Sequence, residues 1–161
     1  MSVLLLYAGD EETAANLTLE AERRGVEAER LVFGARLPMA DYMARYRSAD
    51  LFLDTAPYNA GATASDALWA GLPVLTRIGE SFAGRMAASL LQAIGLPEMI
   101  TATPETYEDL AVALAGDPAR VALIRQKLED HRRTTPLFNT RLFARNLEDA
   151  YIRVHQQTQG P

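Results

Sequence analysis

Residues 50–76 read DLFLDTAPYNAGATASDALWAGLPVLT, and the fold turns on this stretch. Residues 51–53 form a short apolar run ending at Asp54, which suits a buried strand. A polar loop, residues 54–61, contains the Asn, Gly and Pro that turns require. Small residues then open a helix over 63–70, which Gly71 is placed to stop. Residues 73–76 supply the next strand. A strand, a helix and a second strand in this order form a βαβ unit, for which a right-handed crossover and parallel pairing are expected.

The pattern continues on both sides. Residues 3–7, VLLLY, are a continuous apolar run of the kind covered on both faces, and residues 11–24 follow as a helix that Gly25 can end. Residues 30–33 read as a strand. Residues 38–47 read as a helix opened by Pro38, with Met39, Tyr42, Met43 and Tyr46 at helical spacing. Downstream, residues 81–93 are amphipathic, with Phe82, Met86, Leu90 and Ile94 four apart and Ala87 and Leu91 alongside. A short strand is expected at 98–100. Thr103-Pro104 and Asp117-Pro118 each place a capping side chain before a proline and open helices over 104–115 and 118–132. Residues 136–140 lead into a final helix over 140–154, and 156–161 should fray. The fold class is therefore α/β, a Rossmann-like three-layer domain with a parallel sheet. Residues 1–161 read as one domain, with 104–155 as its helical C-terminal part.

Composition narrows the function. The 161 residues are 48% apolar and 23% charged with net charge -5, as in a soluble globular domain and unlike a polyanion-wrapping one. Nucleic acid is not the expected partner. Neither is a membrane, because the opening apolar run lacks a basic leader and soon meets acidic residues; a cytoplasmic setting is expected. Cysteine is absent, and His131 and His155 are the two histidines, so neither thiol chemistry nor a histidine metal cluster is expected. A chain that opens on a core strand reads as a truncated piece or a short gene product.

In an open parallel sheet, ligands bind outside the carboxyl ends of the strands. The loop before residues 63–70 is the richest candidate. Gly61 permits close approach to the backbone, and Ala62, Thr63, Ala64 and Ser65 leave the helix start uncovered for a phosphate. The same residues also suit a plain turn and tight packing. There is no GxGxxG and no GxxxxGK[ST]. Asp66 can accept from ribose hydroxyls or simply sit in the first turn as a carboxylate favoured by the dipole. Tyr58 is a stacking surface or a lid. Gly79 allows an unusual backbone angle, and Arg85 pairs with Glu80 or meets substrate. Arg45 and Arg47 can neutralise a diphosphate or remain solvated. His131 reads as structural.

Over DLFLDTAPYNAGATASDALWAGLPVLTRIGESFAGRMAASLLQAIGL, residues 50–96, the chain resembles the catalytic region of the O-linked N-acetylglucosamine transferases and their SPINDLY-like relatives. The resemblance extends from about Leu4 to Val154 and includes Pro136-Leu-Phe-Asn-Thr140. It implies the C-terminal half of a GT-B glycosyltransferase, a family that inverts at the anomeric carbon and moves sugar from a UDP donor to serine or threonine. By that resemblance, Thr63 and the amides from Gly61 through Ala64 hold the diphosphate, and Asp66 holds the ribose. The base meets backbone around Ala35 to Leu37, Tyr42 faces the nucleoside, and Arg45 lies nearby.

Three departures stand out. The family's usual His-Thr-Thr is Gly61-Ala62-Thr63 here, a common lysine is Met39, and a usual histidine is Tyr42. The family's leaving-group lysine precedes the segment equivalent to Val3, and its acceptor-binding N-terminal half lies further upstream. The chain is therefore expected to bind UDP-N-acetylglucosamine without a metal or other cofactor, and to need the N-terminal GT-B half, in cis or in trans, for transfer to a protein. No catalytic residue is assigned. Its exposed cleft face could support a homodimer. The alternatives are a GT-B module for a non-protein acceptor, or a degenerate interaction domain.

Overall fold

The computed structural model describes residues 2–158, which divide after Ala49 into two compact units. In the first, the apolar run at the N-terminus becomes β1 (Leu4–Tyr7), paired in parallel with β2 (Leu31–Gly34) from Leu4 opposite Leu31 to Tyr7 opposite Gly34. Between them lies α1 (Glu11–Glu22), whose start is fixed by Asp10 accepting from the Thr13 amide. Gly25, at φ +77°, turns the chain away from it. Pro38 precedes α2 (Met39–Arg45), and a single 3₁₀ turn carries the chain to Ser48.

The sequence suggests that β1 is covered on both faces, and here the structure differs. Leu4, Leu5 and Tyr7 are all exposed, Leu5 by 42%. A strand is buried on both faces only when other elements pack on each side of it. In this unit the strands pack mainly against each other, and no described residue of it is buried.

The second unit is built differently. Strands β3 (Phe52–Leu53), β4 (Val74–Arg77) and β5 (Ile100–Thr101) form a parallel sheet in that order. Helices α3 (Ala62–Ala70), α4 (Met86–Ala93) and α5 (Pro104–Gly116) pack on β4, and α6 (Pro118–Thr134) packs on α3 and α5. Successive strand residues face opposite sides of a sheet. Val74, Leu75 and Thr76 are nevertheless all inaccessible, so β4 is covered on both faces.

Several ends follow the sequence signals. Gly71 and Gly95 take positive φ after α3 and α4, Thr103 makes a capping box at α5, and Asp117 caps α6. Other ends do not. Residues 81–85 are not α-helical: a 3₁₀ turn over Ala83–Arg85 precedes α4. The core face of α4 is Ala87, Ala88 and Leu91, continued by Ile94, whereas Phe82 is 80% exposed. The four-residue spacing of Phe82, Met86 and Leu90 marks the rim of that helix. The strand expected at 98–100 is a 3₁₀ turn over Pro97–Met99 followed by β5. Residues 136–138 form another 3₁₀ turn before the final helix, α7 (Thr140–Thr158). Of the tail expected to fray, residues 156–158 are helical and 159–161 lie outside the described residues.

Candidate functional site

The loop from Asp54 to Gly61 is a braced structure rather than a simple turn. Asp54 is almost fully buried; its Oδ1 accepts from the Ala60 amide at 2.7 Å and its Oδ2 from the Thr76 hydroxyl at 2.6 Å. The Tyr107 hydroxyl donates to the Asp54 carbonyl at 2.9 Å. Asn59, 1% exposed, donates from Nδ2 to the Thr55 carbonyl at 2.8 Å, and its own amide donates to the Ala83 carbonyl. Burial raises the Asp54 carboxyl above its ordinary value, against the hydrogen bonds from Thr76, Ala60 and Thr55 that lower it. Burial and the Asp54 charge together push the Tyr107 phenol up to about 12.

This frame fixes where α3 begins. Gly61 is its N-cap, and no side chain caps it. Ala62 and Thr63 are exposed, Ala64 is buried against the core, and Asp66 is half-buried in the second turn. The Asp66 carboxylate has no hydrogen-bond or ion-pair partner among the described residues. The space that a Cβ at Gly61 would take is occupied by the end of the Met86 side chain. The glycine lets the Met86 side chain of α4 lie against the start of α3, and Ala62 and Thr63 are exposed beside it.

A cleft of about 520 Å³ opens beside this helix start, lined by Gly61, Ala62, Ser65, Phe82, Arg85 and Met86 among others. Arg85 forms no ion pair with Glu80 among the described residues. Gly79 does not need an unusual backbone angle, since its φ is not positive. Its lack of a side chain instead lets the Gly84 backbone approach, and the Gly79 amide donates to the Gly84 carbonyl at 2.6 Å. Tyr58 is 72% exposed, so it does not pack down as a lid. A second cleft, of about 370 Å³, lies at Asp54, Arg77, Tyr107 and Glu108.

In the first unit the structure brings together Ala35, Tyr42 and Arg45, three of the residues assigned to the nucleoside. Arg45 Nη1 donates to the Ala35 carbonyl at 2.9 Å, and its guanidinium lies 5.9 Å from the centre of the Tyr42 ring. Tyr42 and Tyr46 meet edge to face at 5.0 Å and share a hydroxyl hydrogen bond. Leu37 and Met39 are exposed beyond this cluster, as is Arg47. His131 is structural, with Nδ1 2.9 Å from the Ile94 carbonyl and its ring under Gly95, where a Cβ would collide with it.

Sequence reasoning found the rim but missed the frame. The overlooked signal was an aspartate closing an apolar strand, with Asn59 five residues on and a threonine in the neighbouring strand. Among the described residues no three His, Cys, Asp or Glu side chains gather as a metal-ligating group, and no helix is long and apolar enough to cross a membrane.

Known proteins give this geometry its relatives. The chain is 36% identical over 135 residues to a protein of Arabidopsis thaliana described as a probable UDP-N-acetylglucosamine--peptide N-acetylglucosaminyltransferase SEC, covering 83% of this chain and 14% of that one. A Caenorhabditis elegans UDP-N-acetylglucosamine--peptide N-acetylglucosaminyltransferase is 35% identical over 126 residues, 78% of this chain and 11% of that one. A solved structure of a mutant O-GlcNAc transferase from Thermobaculum terrenum superposes with a TM-score of 0.87 at 38% identity, over 94% of this chain and 30% of that chain. The chain thus spans a small fraction of the length of these relatives. The architecture is that of a Rossmann-like, GT-B-type domain, as the resemblance implied. The profile of Glycosyl transferase family 41 matches residues 1–147, and the chain belongs to that family.

Proposed function

We propose that residues 1–161 act as one UDP-sugar-binding module, with 104–155 as its helical part, within a protein O-glycosyltransferase. The donor is UDP-N-acetylglucosamine, the donor in the names of the relatives. The observation that carries this reading is the start of α3: an uncapped helix N-terminus, held in place by Asp54 and Asn59, presenting Ala62 and Thr63. Backbone amides and the positive end of the helix dipole at such a start favour phosphate oxygens. Gly61, Ala62, Thr63 and Ala64 hold the diphosphate. The unpartnered Asp66 carboxylate accepts from the ribose hydroxyls, while Ala35, Leu37, Tyr42 and Arg45 serve the nucleoside.

Sugar transfer needs the acceptor hydroxyl, the anomeric carbon and support for the leaving diphosphate in one geometry. The small share of its relatives that this chain spans supports a binding role for it alone, with transfer to serine or threonine requiring the N-terminal half in cis or in trans. Calorimetric titration with UDP tests the reading. Saturable binding that a Thr63→Ala, Asp66→Ala double variant loses is the expected result; no binding at millimolar UDP would overturn it.

A further inference from the structure

The second cleft, of about 370 Å³, lies where ligands of an open parallel sheet bind, outside the carboxyl ends of its strands. Asp54 follows β3, Arg77 ends β4, and α5 supplies Pro104, Tyr107, Glu108 and Ala111, which share one face of that helix. Most polar groups of the wall are already committed. The Asp54 carboxylate holds the Ala60 amide and the Thr76 hydroxyl, and the Tyr107 hydroxyl is given to the Asp54 carbonyl. Two charged groups are left over. The half-buried Arg77 side chain and the exposed Glu108 side chain form no hydrogen bond or ion pair among the described residues, with each other or with a neighbour. Glu105 feels the charge of Arg77 without pairing with it.

Charge and shape narrow what fits. An unpaired guanidinium calls for an anion, and no other cation lines the cleft among the described residues. The Asp54 and Glu108 carboxylates oppose a second negative charge on the ligand, so a single carboxylate fits better than a phosphate dianion. Ala56, Ala111 and Val112 make the rest of the wall apolar. The cleft also lies open, since Val112 is 67% exposed and Ala56 and Pro104 are exposed, whereas a small-molecule site encloses most of its ligand. An extended chain laid across it meets all of these conditions.

We propose that this cleft is a docking site for an acidic stretch of polypeptide, with Arg77 taking a carboxylate and Val112 an adjoining apolar side chain. Asp54 ties the cleft to the start of α3 through its bond to the Ala60 amide, so a chain held there passes beside the donor site without filling it. That the stretch belongs to the acceptor protein rests on the glycosyltransferase reading; the chemistry of the cleft does not.

The test is an amide NMR titration of the unaltered chain with a capped peptide, Ala-Val-Glu-Val-Ala, and with its glutamine counterpart, each without and with UDP. The glutamate peptide is expected to bind saturably, with shifts at Arg77, Tyr107, Glu108 and Val112, about fivefold more tightly than the glutamine peptide. UDP should leave that affinity within about twofold, as two separate sites require. Arg77→Gln should erase the preference for glutamate. Val112→Glu should do the same by repulsion at an exposed position, and it decides alone if Arg77→Gln fails to fold. Equal binding of the two peptides, a preference that survives either folded variant, or shifts confined to the α3 start overturns the docking site. So does tighter binding of propionate or inorganic phosphate than of the glutamate peptide, and competition by UDP overturns its separation from the donor site. Absence of UDP shifts at Ala62 to Ala64 strikes the donor reading alone, because the peptide shifts are read without UDP as well.

Discussion

The two units begin from the same kind of sequence and reach different states. Each opens with an apolar strand followed by a helix and a parallel partner strand. In the second unit β4 lies under three helices, and every buried apolar side chain among the described residues falls between Ala64 and Leu128. In the first, no described residue is buried, although Val3, Leu4, Leu5 and Val32 are as apolar as anything in β4. Apolar content selects a strand; coverage on both faces makes it core, and coverage depends on other elements.

The largest expected effect separates the units directly. Leu75→Ala in β4 removes a fully buried side chain and should cost roughly 2–5 kcal/mol. Leu5→Ala in β1, at a side chain 42% exposed, should cost less than about 1.5 kcal/mol, since little apolar area is withdrawn from water there. Urea unfolding of both variants makes the comparison, and equal losses would break it.

A loss of comparable size tests the frame of the candidate site. Asp54→Ala leaves the Ala60 amide and the Thr76 hydroxyl without their acceptor, at about 1–3 kcal/mol for each group left unsatisfied. It should also weaken UDP binding, because the position of Gly61 depends on that loop. A stable variant with normal binding would show that the frame is dispensable.

The smallest effect depends on pH. Tyr107→Phe removes one hydrogen bond, a net loss of about 1 kcal/mol near neutrality. With the folded-state phenol raised to about 12 from 10.0, the stability gained from its neutral form is complete below pH 10 and is lost as pH rises through about 12. The phenylalanine variant should flatten that fall in urea titrations. Asp54 works in the same sense at acid pH: its raised carboxyl favours the folded state below 3.8 and loses that contribution as pH rises through its folded-state value. A steeper alkaline loss in Tyr107→Phe than in the unaltered chain would contradict the assignment.

Local chemistry was legible in the sequence because it acts within a few residues. Thr103-Pro104 and Asp117-Pro118 fixed two helix starts, and Gly25, Gly71 and Gly95 marked three turns where φ becomes positive. Tertiary consequences were harder to read. Phe82 shares helical spacing with Met86 but lies before α4, and Gly61 makes room for Met86. Asp54 and Asn59 look like solvent-facing loop residues; they turn inward, where Asp54 accepts from the Ala60 amide and the Thr76 hydroxyl and Asn59 donates to the Thr55 carbonyl. Thr63 and Asp66, by contrast, were placed on the helix from spacing alone.

The most direct test of the central claim is an amide NMR titration of this chain with UDP. Saturable shifts are expected at Ala62, Thr63 and Ala64 and at Ala35 to Leu37, with the amides of α6 little changed. Saturable shifts confined elsewhere, or no shifts at millimolar UDP, would contradict the assignment of the α3 start as a donor site.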